Sequence, residues 1–173
     1  MMHCRSGCFG CCVGPFPITS MDAARLRQGL GQLSEPERSR IQHRAMESVA
    51  ALRELGYPGD SNTGLLTFLH AEEILFAPPY LTLPCPVLDL ETGACTLYEH
   101  RPVACRTYGL AITLDGKRMP HCPLNYEGAP QETIESMRVE IETSAAGKAA
   151  LDEFLAAGGQ EGQTVVAFAL TAS

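Results

Sequence analysis

The sequence predicts an α+β fold: a small, mainly helical domain with short β-hairpins around a cysteine-rich metal site. Three observations carry that expectation. Two long segments place apolar residues at helical spacing. Short apolar stretches flank glycine-containing turns at Glu91-Thr92-Gly93 and Asp115-Gly116. Eight cysteines fall into two sets, Cys4, Cys8, Cys11 and Cys12 and then Cys85, Cys95, Cys105 and Cys122, with none between.

The first set lies within His3 to Cys12, where Ser6, Gly7 and Gly10 let the backbone turn tightly enough to aim several sulfurs at one point. Val13-Gly14-Pro15-Phe16-Pro17 is a rigid connector. Thr19, with Asp22 three residues on, starts a helix that runs to about Leu30, where Gly29 and Gly31 weaken it. Ser34-Glu35-Pro36-Glu37 is a second capping box, with proline tolerated in the first turn. Ile41, Ala45, Val49, Leu52 and Leu55 then form one apolar stripe for the core. Gly56-Tyr57-Pro58-Gly59 stops the helix.

Asp60 to Gly64 is a polar turn. Leu65 to Phe76 is apolar without a clear period, which leaves helix and strand open. Pro78, Pro79, Pro84 and Pro86 forbid a long regular element, so this stretch reads as a packed loop that delivers Cys85. Val87–Leu90 and Ala94–Tyr98 form a short hairpin. Pro102 opens a single helical turn carrying Cys105. Tyr108–Leu114 and Lys117–Met119 flank Asp115-Gly116, a two-residue hairpin signal. His121-Cys122-Pro123 closes this region.

Gln131 to about Ala157 reads as the second long helical segment, with Ile134, Met137, Ile141, Ala145, Leu151 and Phe154 in period. Gly147 is where it would divide, and Gly158-Gly159 ends it. Thr164 to Leu170, β-branched and then alanine-rich, takes no assignment. The expected organisation is one domain over 1–173, with a core over 1–123 and a C-terminal helical segment over 129–158.

A chain of this length buries about 70% of its unfolded surface, so it needs no cross-links to fold. The formal charge is −7, from 13 basic and 20 acidic side chains. That argues against a nucleic-acid footprint, which shows as a basic face. Arg38, Arg40, His43 and Arg44 lie among glutamates and read as a solvated helix face. No apolar run of about 7–15 residues follows a basic start, which excludes a secretory signal. Val165 to Leu170 falls far short of the roughly 20 residues of a membrane span. A cytoplasmic location without membrane or nucleic-acid partners is the expectation. In a reducing compartment, clustered cysteines are metal ligands or redox thiols before they are disulfides.

The cysteines admit three readings. Their even number permits disulfides, but adjacent Cys11 and Cys12 cannot easily bond each other. Zinc prefers four ligands, often in Cys-x2-Cys pairs, and only Cys8-Phe9-Gly10-Cys11 has that spacing. The second set is spaced 10, 10 and 17 positions apart, although eight thiolates still make two four-cysteine sites. An iron–sulfur centre accommodates one short run plus distant residues and is favoured here, with zinc or iron ions as the alternative. Successive Cα atoms lie about 3.8 Å apart with side chains diverging, so Cys11 and Cys12 serve different metal ions or one of them packs as a small hydrophobe.

Thiolate clusters are net negative, which draws nearby cations. Arg101 and Arg106 bracket Cys105, and Arg5 follows Cys4. Ion pairs with Asp89 or Glu99 are the alternative use of these arginines. His3, His100 and His121 sit beside cysteines, as ligands through imidazole or as surface residues. Asp89 either accepts a backbone hydrogen bond in its hairpin or holds a water on metal. No Gly-x-Ser-x-Gly elbow, Walker loop, dinucleotide fingerprint or His-Glu-x-x-His is present.

Several of these blocks together resemble one family. Cys8-Phe9-Gly10-Cys11-Cys12, Cys85-Pro86-Val87-Leu88-Asp89, Gly93-Ala94-Cys95-Thr96-Leu97-Tyr98-Glu99-His100-Arg101-Pro102 and Cys105-Arg106 are similar to the bacterial cysteine-cluster proteins (CxxCxxCC, YkgJ-like), described as zinc- or iron-chelating domains. Cys122 fits the last of the family's eight cysteines. Three residues intervene between Cys4 and Cys8 where the family's usual pattern has two, a spacing that sets Cys4 apart from the other seven. The resemblance implies eight metal-associated cysteines and admits an iron–sulfur oxidoreductase. One relative is a much longer flagellin lysine methylase.

The expectation is a metal-binding protein holding an iron–sulfur cluster or a multinuclear iron or zinc centre, with a redox or metal-handling role and a redox partner not identifiable from sequence. The alternatives are a zinc-stabilised non-catalytic adaptor and a methyltransferase-like enzyme. Residues 3–12 are expected to order only with metal.

Overall fold

Capping boxes start both long N-terminal helices. The computed structural model of the chain describes residues 7–66, 75 and 77–171. In α1 (Ser20–Gln32), Thr19 Oγ1 accepts the Asp22 amide at 3.1 Å and the Asp22 carboxylate accepts the Thr19 amide at 3.3 Å. In α2 (Glu35–Glu54) the Ser34 amide donates to Glu37 at 3.2 Å, with Pro36 in the first turn. The sequence stripe is the buried face: Ile41, Ala45, Val49 and Leu52 are all in the core. Leu55 follows the helix as its C-cap and packs half-buried against the same core.

The tail that carried no assignment lies at the centre of the fold. Strand β7 (Gln163–Thr164) pairs antiparallel with β1 (Ile18–Thr19), with Ile18 opposite Thr164. Helix α6 (Val166–Thr171) then packs against both α1 and α2. Every residue from Val165 to Leu170 is 7% exposed or less. A helix enclosed on all sides is apolar all round, so it shows no amphipathic period. Its side chains serve two core clusters. Val166, Ala169 and Leu170 join Ile18, Leu26, Ile41, Val87 and Leu97. Val165, Ala167 and Phe168 join Val49, Leu52, Tyr57, Leu75 and Tyr80, with the Tyr57 and Phe168 rings 4.7 Å apart.

The hairpins form where the turn residues place them. Strand β2 (Leu88–Asp89) pairs with β3 (Ala94–Cys95), and β4 (Ile112–Leu114) pairs with β5 (Lys117–Arg118). Between the latter two, Asp115 and Gly116 take φ of 48° and 79°, the left-handed pair that a two-residue hairpin turn requires. The short helix α3 (Val103–Thr107) follows Pro102 and carries Cys105, as the sequence suggests.

The segment 131–157 departs from the expected single long helix. It forms α4 (Gln131–Ser136), strand β6 (Val139–Ile141) and α5 (Ala145–Ala156). The break comes at 137–144, before Gly147. Strand β6 lies parallel to β4 on the side away from β5. Two local features override the helical period. Arg138-Val139-Glu140-Ile141-Glu142 alternates polar and β-branched residues, the pattern of a strand. Ser144 accepts the Gly147 amide at 3.1 Å and so starts a new helix. Arg138 fixes the junction, donating to Ile112 O at 2.7 Å and pairing with Glu135 at 2.9 Å. Of the expected stripe, Ile134 is buried, whereas Met137 is 56% exposed.

Most of the apolar stretch 65–76 lies outside the described residues. Among the described residues, no helix is long and apolar enough to cross a membrane.

Candidate metal centre

The N-terminal cysteines reach the second set through backbone pairing. Gly14 N–H donates to Leu83 O at 2.7 Å, Val13 bridges Pro84, and Cys85 N–H donates to Cys12 O at 2.7 Å. The proline-rich loop therefore delivers Cys85 directly beside Cys12. Cys11 and Cys12 occupy a 3-10 turn, Gly10–Cys12, closed by Cys12 N–H to Phe9 O at 2.8 Å. The loop holding Cys8 rests on the β2–β3 turn. Gly93 sits there at φ +67°, and a Cβ would stand 2.9 Å from Phe9 Cδ1 and 3.1 Å from Gly7 Cα. Any side chain at Gly93 would both strain the turn and push the cysteine loop away.

The other sulfurs come from elements held by their own contacts. Cys95 is in β3 opposite Leu88, and Cys85 and Cys95 both pack against the larger core cluster. Cys105 rides on α3, whose first amide, Val103 N–H, donates to Asp22 Oδ1 at 3.0 Å from 81 positions away. Asp22 thus caps α1 with one oxygen and α3 with the other, and it is only 7% exposed. Cys122 precedes the 3-10 turn Pro123–Tyr126. That turn is anchored by Asn125 Nδ2 donating to Gly109 O at 2.6 Å and by Ala111 N–H donating to Tyr126 Oη at 2.9 Å.

The double role of Asp22 gives a test. Asp22→Ala leaves two part-buried amides without an acceptor and should lower folding stability by roughly 2–3 kcal/mol. Urea unfolding measures this. A loss no larger than that of an exposed surface substitution would contradict the role of Asp22 in joining α1 to the Cys105 helix.

Electrostatics link these thiols. The contact with Cys12 raises Cys11 above its ordinary pKa, with burial adding to it and Arg101 opposing it. Burial pushes the Cys85 thiol up to about 12, reinforced by the charges of Cys105 and Cys95. Burial likewise pushes Cys105 up to about 12, with Cys95 and Cys11 adding and Arg101 opposing. Cys95 is raised chiefly by burial and is also within electrostatic range of Arg101 and Cys11. Tyr108 is raised by burial and by its neighbours Cys122 and Cys11, which places it between the two sets. Cys11, Cys85, Cys95 and Cys105 thus form a mutually interacting group. Cys12 touches it through Cys11, and Cys122 borders it through Tyr108.

All seven described cysteines are free thiols. They converge without closing: among the described residues, no three Cys, His, Asp or Glu side chains stand close enough together to hold an ion. Zinc–sulfur bonds are about 2.3 Å long, so ligation requires the thiol side chains to rotate inward and lose their protons. The donor set suits a thiophilic metal. It consists of thiols from the N-terminal turn, a loop, a hairpin and a short helix, half-buried except for the exposed Cys11.

The remaining candidates take different positions. Arg101 stacks on Tyr98, its Cζ 3.5 Å from the ring centroid, within electrostatic range of Cys11, Cys95 and Cys105. Arg106 donates from Nε to Arg101 O at 2.9 Å and from Nη2 to Glu99 O, so it is held on backbone carbonyls. Asp89 Oδ1 accepts the Glu91 and Thr92 amides at 2.9 and 3.4 Å and shapes the hairpin turn. His100 lies against α1, its Nε2 3.2 Å from Gln32 Oε1. The His121 ring stands edge-on to Tyr126 at 4.9 Å. His3, Cys4 and Arg5 lie outside the described residues. Sequence reasoning missed Tyr108 as a neighbour of Cys11 and Cys122 and the second role of Asp22. The capping box flagged Asp22, but nothing local pointed to α3.

A family model described as "Putative zinc- or iron-chelating domain" (CxxCxxCC) matches residues 3–123. Neither the comparison with curated proteins nor that with solved structures finds a match.

Proposed function

Because the chain belongs to the CxxCxxCC family of zinc- or iron-chelating domains, we propose that its cysteines hold iron, as an iron–sulfur cluster or a multinuclear centre, for electron transfer or metal handling. The ligands proposed are Cys4, Cys8, Cys11, Cys12, Cys85, Cys95, Cys105 and Cys122, with Arg101 beside them. One observation carries the reading. Two cysteine sets far apart in sequence meet through the Cys85–Cys12 backbone hydrogen bond, and the charges of Cys11, Cys85, Cys95 and Cys105 act on one another.

Free thiols gathered this way have an unfavourable arrangement of like charges once deprotonated, and a bound cation relieves it. When bound, the metal supplies redox chemistry or a transferable ion. The chain itself supplies sulfur donors, partial exclusion of water and a fixed positive charge. An uneven set, one short run plus scattered residues on separate elements, favours a polynuclear centre over a zinc knuckle.

Protein purified without oxygen should be brown and contain iron and acid-labile sulfide in near-stoichiometric amounts. Cys85→Ser should lose most of both. A colourless, zinc-loaded preparation from the same cells would overturn the iron reading in favour of a zinc-stabilised scaffold.

A further inference from the structure

We propose that Arg25, Tyr98, Arg101, Val103 and Arg106 form a docking surface for an acidic segment of a partner protein, beside the Cys105 helix. The five come from three places in the fold. Arg25 lies on α1, Tyr98 opens the 3-10 turn Tyr98–His100 with Arg101 directly after it, and Val103 and Arg106 lie on α3. Arg25 Nη2 and Arg106 Nη2 both donate to a single oxygen, Glu99 O, the first at 2.9 Å. Arg106 Nε donates to Arg101 O at 2.9 Å. Arg101 Cζ lies 3.5 Å from the centroid of the Tyr98 ring, and its Nε donates to Tyr98 O at 3.0 Å. Val103 stands three residues before Arg106 on the same helix, so the two share a face.

The charge of this surface is opposite to that of the chain. Three arginines stand against one acid, Glu99, in a protein with a net charge of −7. Two guanidiniums on one carbonyl oxygen are like charges held side by side, at an electrostatic cost that an incoming carboxylate relieves. Each guanidinium carries more N–H donors than the bonds above use. Those bonds and the tyrosine stack hold the cations in place before a partner arrives, so little side-chain freedom is lost on binding.

The apolar members narrow the partner. Tyr98 and Val103 are 55% and 52% exposed, and Arg25 and Arg106 are exposed beside them. Tyrosine and arginine are the side chains that most often anchor protein interfaces. Cations interleaved with exposed apolar groups fit a peptide that sets acids around an apolar residue. A nucleic acid would meet the repulsive field of the acidic chain around the surface. Because α3 carries Cys105, a partner seated here lies against an element of the candidate centre, while the docking itself needs no metal.

The test uses the full chain, labelled with ¹⁵N, and a short synthetic peptide of aspartate and glutamate around one phenylalanine. Amide shifts on titration should concentrate at 98–107 and at Arg25, and the affinity should fall as salt rises. Arg25→Gln combined with Arg106→Gln should weaken binding about tenfold, the sum of two surface charge contacts. Val103→Glu leaves every one of those hydrogen bonds in place and should weaken binding about fivefold by placing an acid on the surface. Met46→Glu, which adds the same charge at an exposed position of α2, should stay within about twofold of wild type.

No shifts at 98–107 overturn the inference, as do equal shifts from the same peptide with lysine at each acidic position. Equal affinity in wild type and Val103→Glu overturns it even where the arginine variant fails to fold. A loss in Met46→Glu as large as that in Val103→Glu would mean that net charge alone governs binding, with no docking surface. A single-stranded oligonucleotide of the same charge that binds as tightly as the peptide would make this a general polyanion site and overturn the protein partner.

Discussion

A chain ending at Gly162 will show no cooperative unfolding transition. The segment it lacks supplies β7 and α6, and α6 packs against both α1 and α2. Val165, Val166, Phe168 and Leu170 are each 7% exposed or less. Burying an aliphatic or aromatic side chain of this size contributes about 1.5–3 kcal/mol, so these four account for roughly 6–12 kcal/mol. Domains of this kind are stable by about 5–15 kcal/mol in total. Removal therefore consumes most or all of the margin and opens both core clusters to water. Within the full chain, Leu170→Ala should cost about 2–5 kcal/mol by the same logic, including the cavity it leaves. Circular dichroism followed through a urea titration reads both. If the shortened chain unfolds cooperatively at the full-length midpoint, α6 is not the centre of the core. The family match ends at residue 123, so the matched region completes its core with a segment well beyond it.

Legibility in the sequence followed the locality of the interaction. Capping at Thr19–Asp22 and Ser34–Glu37 uses residues three apart, and both helices begin where those residues stand. The Asp115-Gly116 turn depends on two residues with positive φ, and it too was readable. Helix α6 was not, because complete burial erases the periodicity by which helices are found. Strand β6 was obscured because Ile134, Met137 and Ile141 happen to fit a helical period, while the strand's partner β4 lies far back in the chain. At the candidate centre, cysteine spacing nominates the residues, and the structure adds their company. Cys12 meets Cys85 through the backbone, and Arg106 is held on the carbonyls of Arg101 and Glu99. Residue spacing does not carry those contacts.

Removing metal will reverse the direction in which pH affects stability. In the metal-free chain, burial raises the Cys85 and Cys105 thiols from 9.0 to about 12, with like charge from neighbouring sulfurs adding to the rise. The folded state then keeps protons that the unfolded chain releases at a lower pH. The stability these thiols contribute is complete below pH 9.0 and is lost as pH climbs through about 12. In the loaded chain the sulfurs have already given up their protons to bind the ion, so acid is the threat, because protons compete with metal for each thiolate. Thermal midpoints between pH 6 and pH 11, with and without a chelator, should therefore slope in opposite directions. The chelated protein should weaken toward alkali and the loaded protein toward acid. Hydrogen exchange adds a local readout: amides in 7–12 should exchange much faster after chelation, because the turn Gly10–Cys12 would lose the ligation expected at Cys8, Cys11 and Cys12. Parallel slopes, with no change in exchange over 7–12, would mean that the cysteines are packed thiols and that the fold does not depend on metal.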